Sequence, residues 1–333
     1  MDHTGRVDGP DEGKSWAQPL LDRRFLLAAG SAAMLSACSG RGARRPDVDF
    51  IIPYAPGGGF DSYVRTVLPV FQKQLGVQVH PDNIDGAAGA RAANALYRGK
   101  RDGSVISIVN IPGTMILQQQ GGLPFDLAQL TWLANMGRDS YGLAVAASSP
   151  IKTIDDLRAL GRKRVVQYPC VGPAGAGYSA TKIGSHLLGI PANVISGYKG
   201  TNDYIVAVMR GDGDAAVASL TALQAFRDAG SIRVLCTFES KGSLPGVPDA
   251  TMLGQPDLAD IVQLRPIAGP PGLPADIKAA YSRALVTALR DPVVTAWAQK
   301  KHASLAPDDA EETVKLLQQQ AKFVARWKDL IAA

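Results

Sequence analysis

Histidine and cysteine are scarce in this sequence, which contains 4 histidines and 3 cysteines among 333 residues. His80, His186 and His302 are scattered, and neither Cys170 nor Cys236 has a second thiol at the spacing of metal ligands. A zinc site needs several such ligands close together. The sequence therefore predicts no metal site, and no motif in it requires another cofactor.

Aromatic residues make up only 6% of the chain, and the formal net charge is a modest +5. No run of basic residues is interleaved with aromatic ones, which argues against a nucleic-acid surface. Catalytic groupings are also missing: Ser179 and Ser219 do not stand in a Gly-x-Ser-x-Gly elbow, and no histidine falls where a partner strand would end. Hydroxyl groups without a base can hold a molecule but not activate it, so the sequence favours binding over catalysis.

The first 45 residues are predicted to be a leader and tether rather than part of the fold. Residues 1–22 are polar, and Arg23-Arg24 opens an apolar run that ends at Ala37. The run is too short to span a bilayer and is typical of the core of an export signal. The arginine pair resembles a twin-arginine signal. An ordinary secretory signal is the alternative.

The end of this apolar run, Leu35-Ser36-Ala37-Cys38, looks like a bacterial lipobox. Cleavage before Cys38 would leave it as the lipid-modified first residue, which predicts a lipoprotein anchored on the outer face of the cytoplasmic membrane. The alternative is a cysteine that lies near a plain cleavage site. In an exported chain Cys170 and Cys236 could pair, but two buried free thiols are the preferred interpretation because both stand at the ends of apolar strands.

A glycine-rich segment, residues 53–61 (PYAPGGGFD), follows a short apolar run. The run from Val48 to Ile52 predicts a buried strand, and the helical spacing after it predicts a helix with Asp61 as its N-cap. Glycines let backbone N–H groups approach a ligand closely, and a helix N-terminus favours an anion. The segment lacks the Gly-Lys-Ser/Thr ending of a P-loop and the spacing of a dinucleotide fingerprint. A carboxylate is the remaining ligand.

The same order of strand, glycine-containing turn and helix recurs further along the chain. Val77–Val79 and Val105–Val109 are predicted strands, and the turns at residues 83–89 and 110–114 follow them. Pro69 is expected to kink or break the first helix. Open α/β sheets bind ligands at the carboxyl ends of their strands, which is where these turns lie.

A second lobe repeats this plan after the pattern changes at residues 138–141. Alternating strands and helices predict an α/β protein with a largely parallel sheet. We predict that residues 46–140 and 264–333 form lobe 1 and that residues 141–263 form lobe 2. The glycine turns of the two lobes would then face each other across a cleft that holds a small molecule. The patterns at Ala275–Arg290 and Glu311–Ile331 predict helices that pack over a lobe.

The candidate ligand-binding residues are those in the turns that could line this cleft, mostly with backbone N–H, hydroxyl or amide groups. In lobe 1 they are Tyr54, Pro56, Gly57, Gly58, Asp61, Ala88, Gly89, Asn110 and Thr114, and in lobe 2 they are Gly177, Tyr178, Ser179, Tyr198, Gly200, Thr201 and Ser219. Asp61 is better explained as a helix cap, or as a buried acceptor that orders its loop, than as a general base.

A set of residues spread over positions 48–305 matches the motifs of one known family. They are Pro53, Pro56, Gly57, Gly58, Asp61, Arg65, Asn83, Gly86, Ala87, Gly89, Asp102, Gly103, Tyr198, Lys199, Gly200, Thr201 and the segment Pro270–Pro274. In these residues the chain resembles the substrate-binding receptors of tripartite tricarboxylate transporters, which are also called Bug-type periplasmic receptors. Two features differ from the family: Thr181 stands where many members have a histidine, and the leader is of the lipoprotein type.

The resemblance implies a type II periplasmic-binding-protein fold, in which two α/β lobes are joined by a hinge of two strands. It also implies that backbone amides and ordered water hold the carboxylate of a small ligand. The expected function is capture of a small organic carboxylate by a monomer, and delivery to the permease subunits of such a transporter. A sensor that docks a signalling partner would have the same fold, and a cofactor-free enzyme acting on a carboxylate is the third interpretation.

Overall fold

A sheet of mixed direction, and not the largely parallel one that was expected, is the centre of the computed structural model, which describes residues 46–173 and 175–332. Strands β1 (Val48–Ile52), β2 (Val79–Asn83) and β3 (Val105–Ile108) are parallel, with β1 between the other two. The sequence of β1 does not alternate between apolar and polar residues, because all of its residues except Asp49 are buried. The carboxyl ends of the three strands consequently lie along one edge of the sheet.

One long strand connects this sheet to a second group of strands. Strand β4 (Thr131–Ala146) pairs through its first part with β9 (Val262–Gly269) and β10 (Leu305–Asp308), and β9 also pairs with β3. The last part of β4 pairs with two other strands, β7 and β8. Strands β4 and β9 therefore link the two lobes.

The remaining strands belong to the second lobe. They are β5 (Val166–Pro169), β6 (Ala192–Ile195), β7 (Ala216–Ser219) and β8 (Ile232–Thr237), and β5 runs parallel to β6.

Helices follow most of the strands, as the alternating pattern predicts. They are α1 (Gly59–Leu75), α2 (Ala90–Tyr97), α3 (Gly113–Gln119), α4 (Ile154–Lys163), α5 (Ala176–Leu187), α6 (Thr201–Arg210), α7 (Leu220–Asp228), α8 (Ala275–Leu289), α9 (Pro292–Lys301), α10 (Ala310–Arg326) and α11 (Lys328–Ala332). Short 3₁₀ turns occupy Ala87–Gly89, Leu127–Gln129 and Pro256–Asp260.

Separate apolar clusters stabilise the two groups of strands. In the first, Phe50 of β1, Phe71 of α1 and Tyr281 of α8 are fully buried and make edge-to-face ring contacts. In the second, Tyr168 of β5 and Phe238 are fully buried. Burial of each such side chain contributes about 1.5–3 kcal/mol, and this burial holds the glycine turns at the strand ends in place.

Helix α1 continues through Pro69, so the expected break at this proline does not occur. Val64 and Val67 before the proline and Phe71 after it are fully buried in the same cluster. Together these side chains contribute more than the ~3 kcal/mol that an interior proline costs. Tertiary packing therefore outweighs local propensity in this helix.

Three other element boundaries differ from the sequence-based prediction. Strand β2 begins at Val79, the residue where the predicted strand ends. Residues 138–141, where a change of pattern separates the predicted lobes, lie inside the continuous strand β4. The last predicted helix is divided at Trp327 into α10 and α11. The residues Thr153-Ile154-Asp155-Asp156 have the sequence pattern of a capped helix start, and in the structure Thr153 and Asp156 form a capping box at the start of α4.

Cys170 and Cys236 are both buried and free, which confirms the preferred interpretation. In the residues that the structure describes, no three metal-ligating side chains lie together. None of the helices in this part of the chain is both long enough and apolar enough to span a membrane. The predicted signal, tether and lipidation residue Cys38 lie outside the described residues.

Candidate functional site

The first glycine loop presents free backbone donors at the start of helix α1. Gly58 is the N-cap of this helix, so Asp61 is not, and Gly58 makes no side-chain cap. Within residues 46–173 and 175–332, the N–H groups of Gly58, Gly59 and Phe60 have no hydrogen-bond acceptor. Gly57 has a φ of 85°, a conformation that favours glycine. The loop therefore offers both unpaired N–H groups and the positive end of a helix dipole to an anion.

The buried residue Asp61 stabilises this loop by accepting hydrogen bonds. Its carboxylate accepts hydrogen bonds from the Gly57 N–H at 2.9 Å, from Arg65 Nε at 2.8 Å and from Asn83 Nδ2 at 3.0 Å. Asn83 Nδ2 also donates to the Tyr54 carbonyl oxygen at 2.9 Å. These contacts confirm the interpretation of Asp61 as a buried acceptor that orders its loop.

The surroundings of Asp61 keep its carboxyl group ionised. Burial by itself would raise the pKa of Asp61, but the hydrogen bonds from Arg65, Gly57 and Asn83 outweigh burial and lower the pKa below 3.8. The folded protein therefore binds the Asp61 proton less readily than the unfolded chain does. It follows that ionised Asp61 stabilises the fold above the unfolded pKa, and that this stabilisation is lost as the pH falls through the folded pKa.

Replacing Asp61 with asparagine is expected to lower the free energy of unfolding at pH 7 by about 1–3 kcal/mol, because three donors lose their buried, charged acceptor. The difference from the wild type should be constant above about pH 5 and shrink at lower pH, where Asp61 itself becomes protonated. Urea unfolding at a series of pH values measures it. The control is Asp85→Asn, whose exposed side chain has no partner in the described residues. A deficit in Asp61→Asn that persists unchanged at low pH would contradict this account.

The second loop, residues 83–89, has a strained backbone. Gly86, Ala87, Ala88 and Gly89 all have positive φ angles, of 113°, 46°, 53° and 95°. A positive φ costs roughly 1–2 kcal/mol for a residue with a Cβ atom, and such strain clusters at functional sites. A Cβ atom on Gly89 would lie 3.9 Å from the Tyr54 hydroxyl oxygen, so the first and second loops meet at this hydroxyl.

The third loop, residues 110–114, joins them through Asn110, a buried residue two positions after the end of β3. Asn110 Nδ2 donates to the Tyr54 hydroxyl oxygen at 2.6 Å, and Asn110 Oδ1 accepts from Gln263 Nε2 at 3.2 Å. Burial raises the pKa of Tyr54 to about 12, with Asn110 and Arg265 acting in the opposite direction. Tyr54 thus keeps its proton at any physiological pH. Thr114 lies behind this group, where its buried hydroxyl donates to the Asn110 carbonyl oxygen at 2.8 Å.

In the second lobe, the candidate residues of helix α5 lie at its first turn. Gly175 is the N-cap, and the buried Ser179 hydroxyl donates to the Ala176 carbonyl oxygen at 3.0 Å. Tyr178 is half-buried and its ring lies 5.6 Å from Lys182 Nζ. A Cβ atom on Gly177 would lie 3.2 Å from the Tyr204 hydroxyl. The α5 turn is thus packed against its own lobe, and Tyr178 remains partly accessible.

Pro112 of the third loop and Ser179 of α5 line one small cavity together with Tyr141 of β4. This contact brings the third loop next to the first turn of α5. The other second-lobe candidates lie at two further helix starts. Gly200 is the N-cap of α6, Thr201 is its first residue, and half-buried Tyr198 precedes them. Ser219 is the N-cap of α7, because its hydroxyl oxygen accepts from the Ala222 N–H at 3.3 Å.

Asn83 and Gln263 contact the site residues but are not among the candidates predicted from the sequence. Asn83 is the last residue of β2, and its position at a strand end was a signal that could have placed it beside the first loop. Gln263 contacts Asn110 across 153 positions of sequence. No local pattern indicates that contact.

The lobe 1 site can bind an anion through neutral groups. It combines unpaired backbone N–H groups, a helix N-terminus and one tyrosine hydroxyl, whereas the exposed cation Arg65 of helix α1 is engaged by Asp61. Neutral donors in a partly desolvated site suit a group such as a carboxylate.

The order of strands and the two linking strands define a two-lobed solute-binding protein of the periplasmic type II fold. Residues 64–333 match the family described as the tripartite tricarboxylate transporter family receptor. The chain belongs to this family. Its members are substrate-binding receptors rather than enzymes, and they are exported, periplasmic proteins.

Similar proteins support this assignment. Protein BugT of Bordetella pertussis is 27% identical over 248 residues, which cover 70% of this chain and 72% of BugT. MatC from Rhodopseudomonas palustris, solved with bound malate, has a TM-score of 0.72 at 20% identity, and the match covers 86% of this chain and 99% of MatC. The R. palustris protein Rpa4515, solved with adipate, has a TM-score of 0.74 at 20% identity, and the match covers 87% of this chain and 97% of Rpa4515. At these identities the two structures show that the fold is shared.

Proposed function

We propose that this chain is an extracytoplasmic receptor that captures a small organic carboxylate between its two lobes and delivers it to the permease subunits of a tripartite tricarboxylate transporter. The observation that carries the proposal is the first loop, where the free N–H groups of Gly58, Gly59 and Phe60 stand at the N-terminus of α1. An anion that reaches this point gains charge-assisted hydrogen bonds from donors that otherwise have no acceptor.

The proposed ligand class agrees with what similar proteins bind. MatC was solved with malate and Rpa4515 with adipate, which are both dicarboxylates. We place one carboxylate of the ligand against the first loop, Gly89 and the Tyr54 hydroxyl. Tyr178, Tyr198, Thr201 and Ser219 would meet the remainder of the ligand from lobe 2. The proposed lobes are residues 46–140 with 264–333, and residues 141–263.

We further propose that the receptor acts as a monomer and is held on the outer face of the cytoplasmic membrane by a lipid on Cys38. Support comes from the lipobox-like residues 35–38 at the end of the apolar run. Incorporation of labelled palmitate into cells expressing the wild type, and its absence from Cys38→Ser, is the measurement that tests the anchor.

A thermal-shift screen of the full chain tests the ligand class. The panel contains malate, adipate, citrate, glutamate, benzoate and nicotinate, and each acid is paired with its neutral amide. A ligand present at a hundred times its dissociation constant stabilises the native state by about 2.7 kcal/mol. We expect at least one acid to raise the melting temperature and its amide to have no effect. A panel in which no acid acts, or in which the amides act equally, would contradict the proposal.

A further inference from the structure

A row of hydrogen bonds runs from the strands that link the lobes to the Tyr54 hydroxyl. Arg265 Nη2 donates to Gln263 Oε1 at 3.1 Å, and Gln263 Nε2 donates to Asn110 Oδ1 at 3.2 Å. Asn110 Nδ2 then donates to the Tyr54 hydroxyl oxygen at 2.6 Å. Arg265 and Gln263 belong to β9, Asn110 follows β3 and Tyr54 follows β1. The row therefore crosses three strands of the sheet.

The direction of every hydrogen bond in this row follows from the chemistry of its first member. Arginine has five N–H donors and no acceptor, so the Gln263 oxygen must face Arg265. The Gln263 amide then turns its NH₂ group to the Asn110 oxygen, and Asn110 in turn directs its own NH₂ group to Tyr54. Amide orientation is usually ambiguous in a protein structure, but here the arginine removes the ambiguity. The Tyr54 oxygen is left as an acceptor, and its own proton must point elsewhere.

Arg265, the first residue of this row, is held in one position and keeps its positive charge. Arg265 is buried, its Nη2 lies 2.6 Å from Asp139 Oδ2, and its guanidinium lies over the rings of Tyr63 at 4.5 Å and Phe60 at 5.2 Å. A guanidinium does not lose its proton in proteins. Arg265 therefore cannot become an acceptor, and burial among these groups holds its guanidinium in place while the fold is intact.

We propose that Gln263 and Arg265 are positioning residues that make the Tyr54 hydroxyl an obligatory donor to the ligand carboxylate. The inference rests on the proposed function, because it assigns a role to one hydroxyl of that site. The hydroxyl lies beside Gly89, where the first two loops meet, and its raised pKa keeps the proton in place. A carboxylate, which only accepts, satisfies this donor. An ammonium group, which only donates, leaves this donor without a partner at the same point, and that is penalised in a desolvated site.

A double-mutant cycle tests the direction of the row. Glutamate at position 263 is expected to be ionised beside Arg265 and can only accept hydrogen bonds. In Gln263→Glu the Asn110 amide must reverse to donate to the new carboxylate, and its oxygen then takes the Tyr54 proton. The cycle consists of the wild type, Tyr54→Phe, Gln263→Glu and the double variant. Dissociation constants are measured calorimetrically for the tightest-binding acid of the screening panel.

We expect Tyr54→Phe to weaken binding about tenfold to a hundredfold in the wild-type background, the usual effect of a hydrogen bond to a charged group. In the Gln263→Glu background the same change should have an effect of about twofold or less, since the hydroxyl already donates inward. The charge that Gln263→Glu adds is present in both members of that comparison and cancels. A role of Gln263 in stability alone would leave the effect of Tyr54→Phe equal in both backgrounds.

Three results decide the matter. Equal effects of Tyr54→Phe in both backgrounds, or no effect in the wild type, would overturn the inference while carboxylate binding by the wild type left the proposed function intact. Failure of the wild type to bind any acid of the panel would overturn both the inference and the proposed function.

If melting shows that Gln263→Glu does not fold, Asn110→Asp takes its place. The new carboxylate accepts from Gln263 and takes the Tyr54 proton, so it should abolish the effect of Tyr54→Phe in the same way.

Discussion

Replacing Asp139 with asparagine is expected to lower the free energy of unfolding by about 3–5 kcal/mol. The Asp139–Arg265 ion pair is almost completely buried, with side-chain exposures of 0% and 6%. Asparagine has nearly the same shape but no charge, so the substitution leaves the guanidinium of Arg265 in the protein interior without a counter-ion. Because arginine cannot become neutral, the full penalty of an unpaired buried charge should be seen.

Urea unfolding at pH 7 measures this effect, and Asp212→Asn is the matched control. Asp212 pairs with Arg210 at a similar distance of 2.9 Å, but exposures of 46% and 63% place that pair in solvent. Exposed pairs contribute only about 0–1 kcal/mol, so the control should lose little. Equal stabilities of Asp139→Asn and Asp212→Asn would show that the interior pair does not carry the energy assigned to it.

Replacing Gly58 with aspartate is expected to weaken carboxylate binding about a hundredfold or more, with little change in stability. Gly58 has a φ of −76° and a ψ of 174°, which any residue adopts, and a Cβ atom there would meet only the Ala55 carbonyl oxygen at 3.6 Å. Aspartate is also a favoured N-cap. Its side-chain carboxylate would accept from the N–H groups of the first turn of α1. These are the donors proposed for the ligand, so the protein would carry its own competitor.

The matched control is Ala275→Asp, which places the same charge at the exposed first residue of helix α8. Helix α8 begins beside Gly103, close to the start of β3 and therefore at the opposite edge of the sheet from the glycine loops. Isothermal titration of the acid identified in the screen compares the two variants. We expect Ala275→Asp to bind as the wild type does. Tight binding by Gly58→Asp would remove the first loop from the site, even if the receptor still bound a carboxylate elsewhere.

The sequence by itself predicted the elements whose cause is local. The apolar run of β1, the three glycines after it and the helical spacing that follows are consecutive in the chain, and the structure has the strand, turn and helix in that order. The capping box at Thr153 was predictable for the same reason, since its partners are three residues apart. Repetition of this unit was enough to indicate an α/β protein with loops at the carboxyl ends of its strands.

Only the tertiary structure decided which distant residues meet. Helix α1 continues through Pro69 because side chains on both sides of the proline share one core, and β4 continues through residues 138–141 because it pairs with strands of both lobes. Gln263 reaches Asn110, and Arg265 reaches Asp139, only because β9 lies between β3 and β4 in the sheet. A local pattern records what neighbours in the chain favour, whereas a buried ion pair or a directed row of hydrogen bonds depends on strand order. That order is set by the packing of the whole chain.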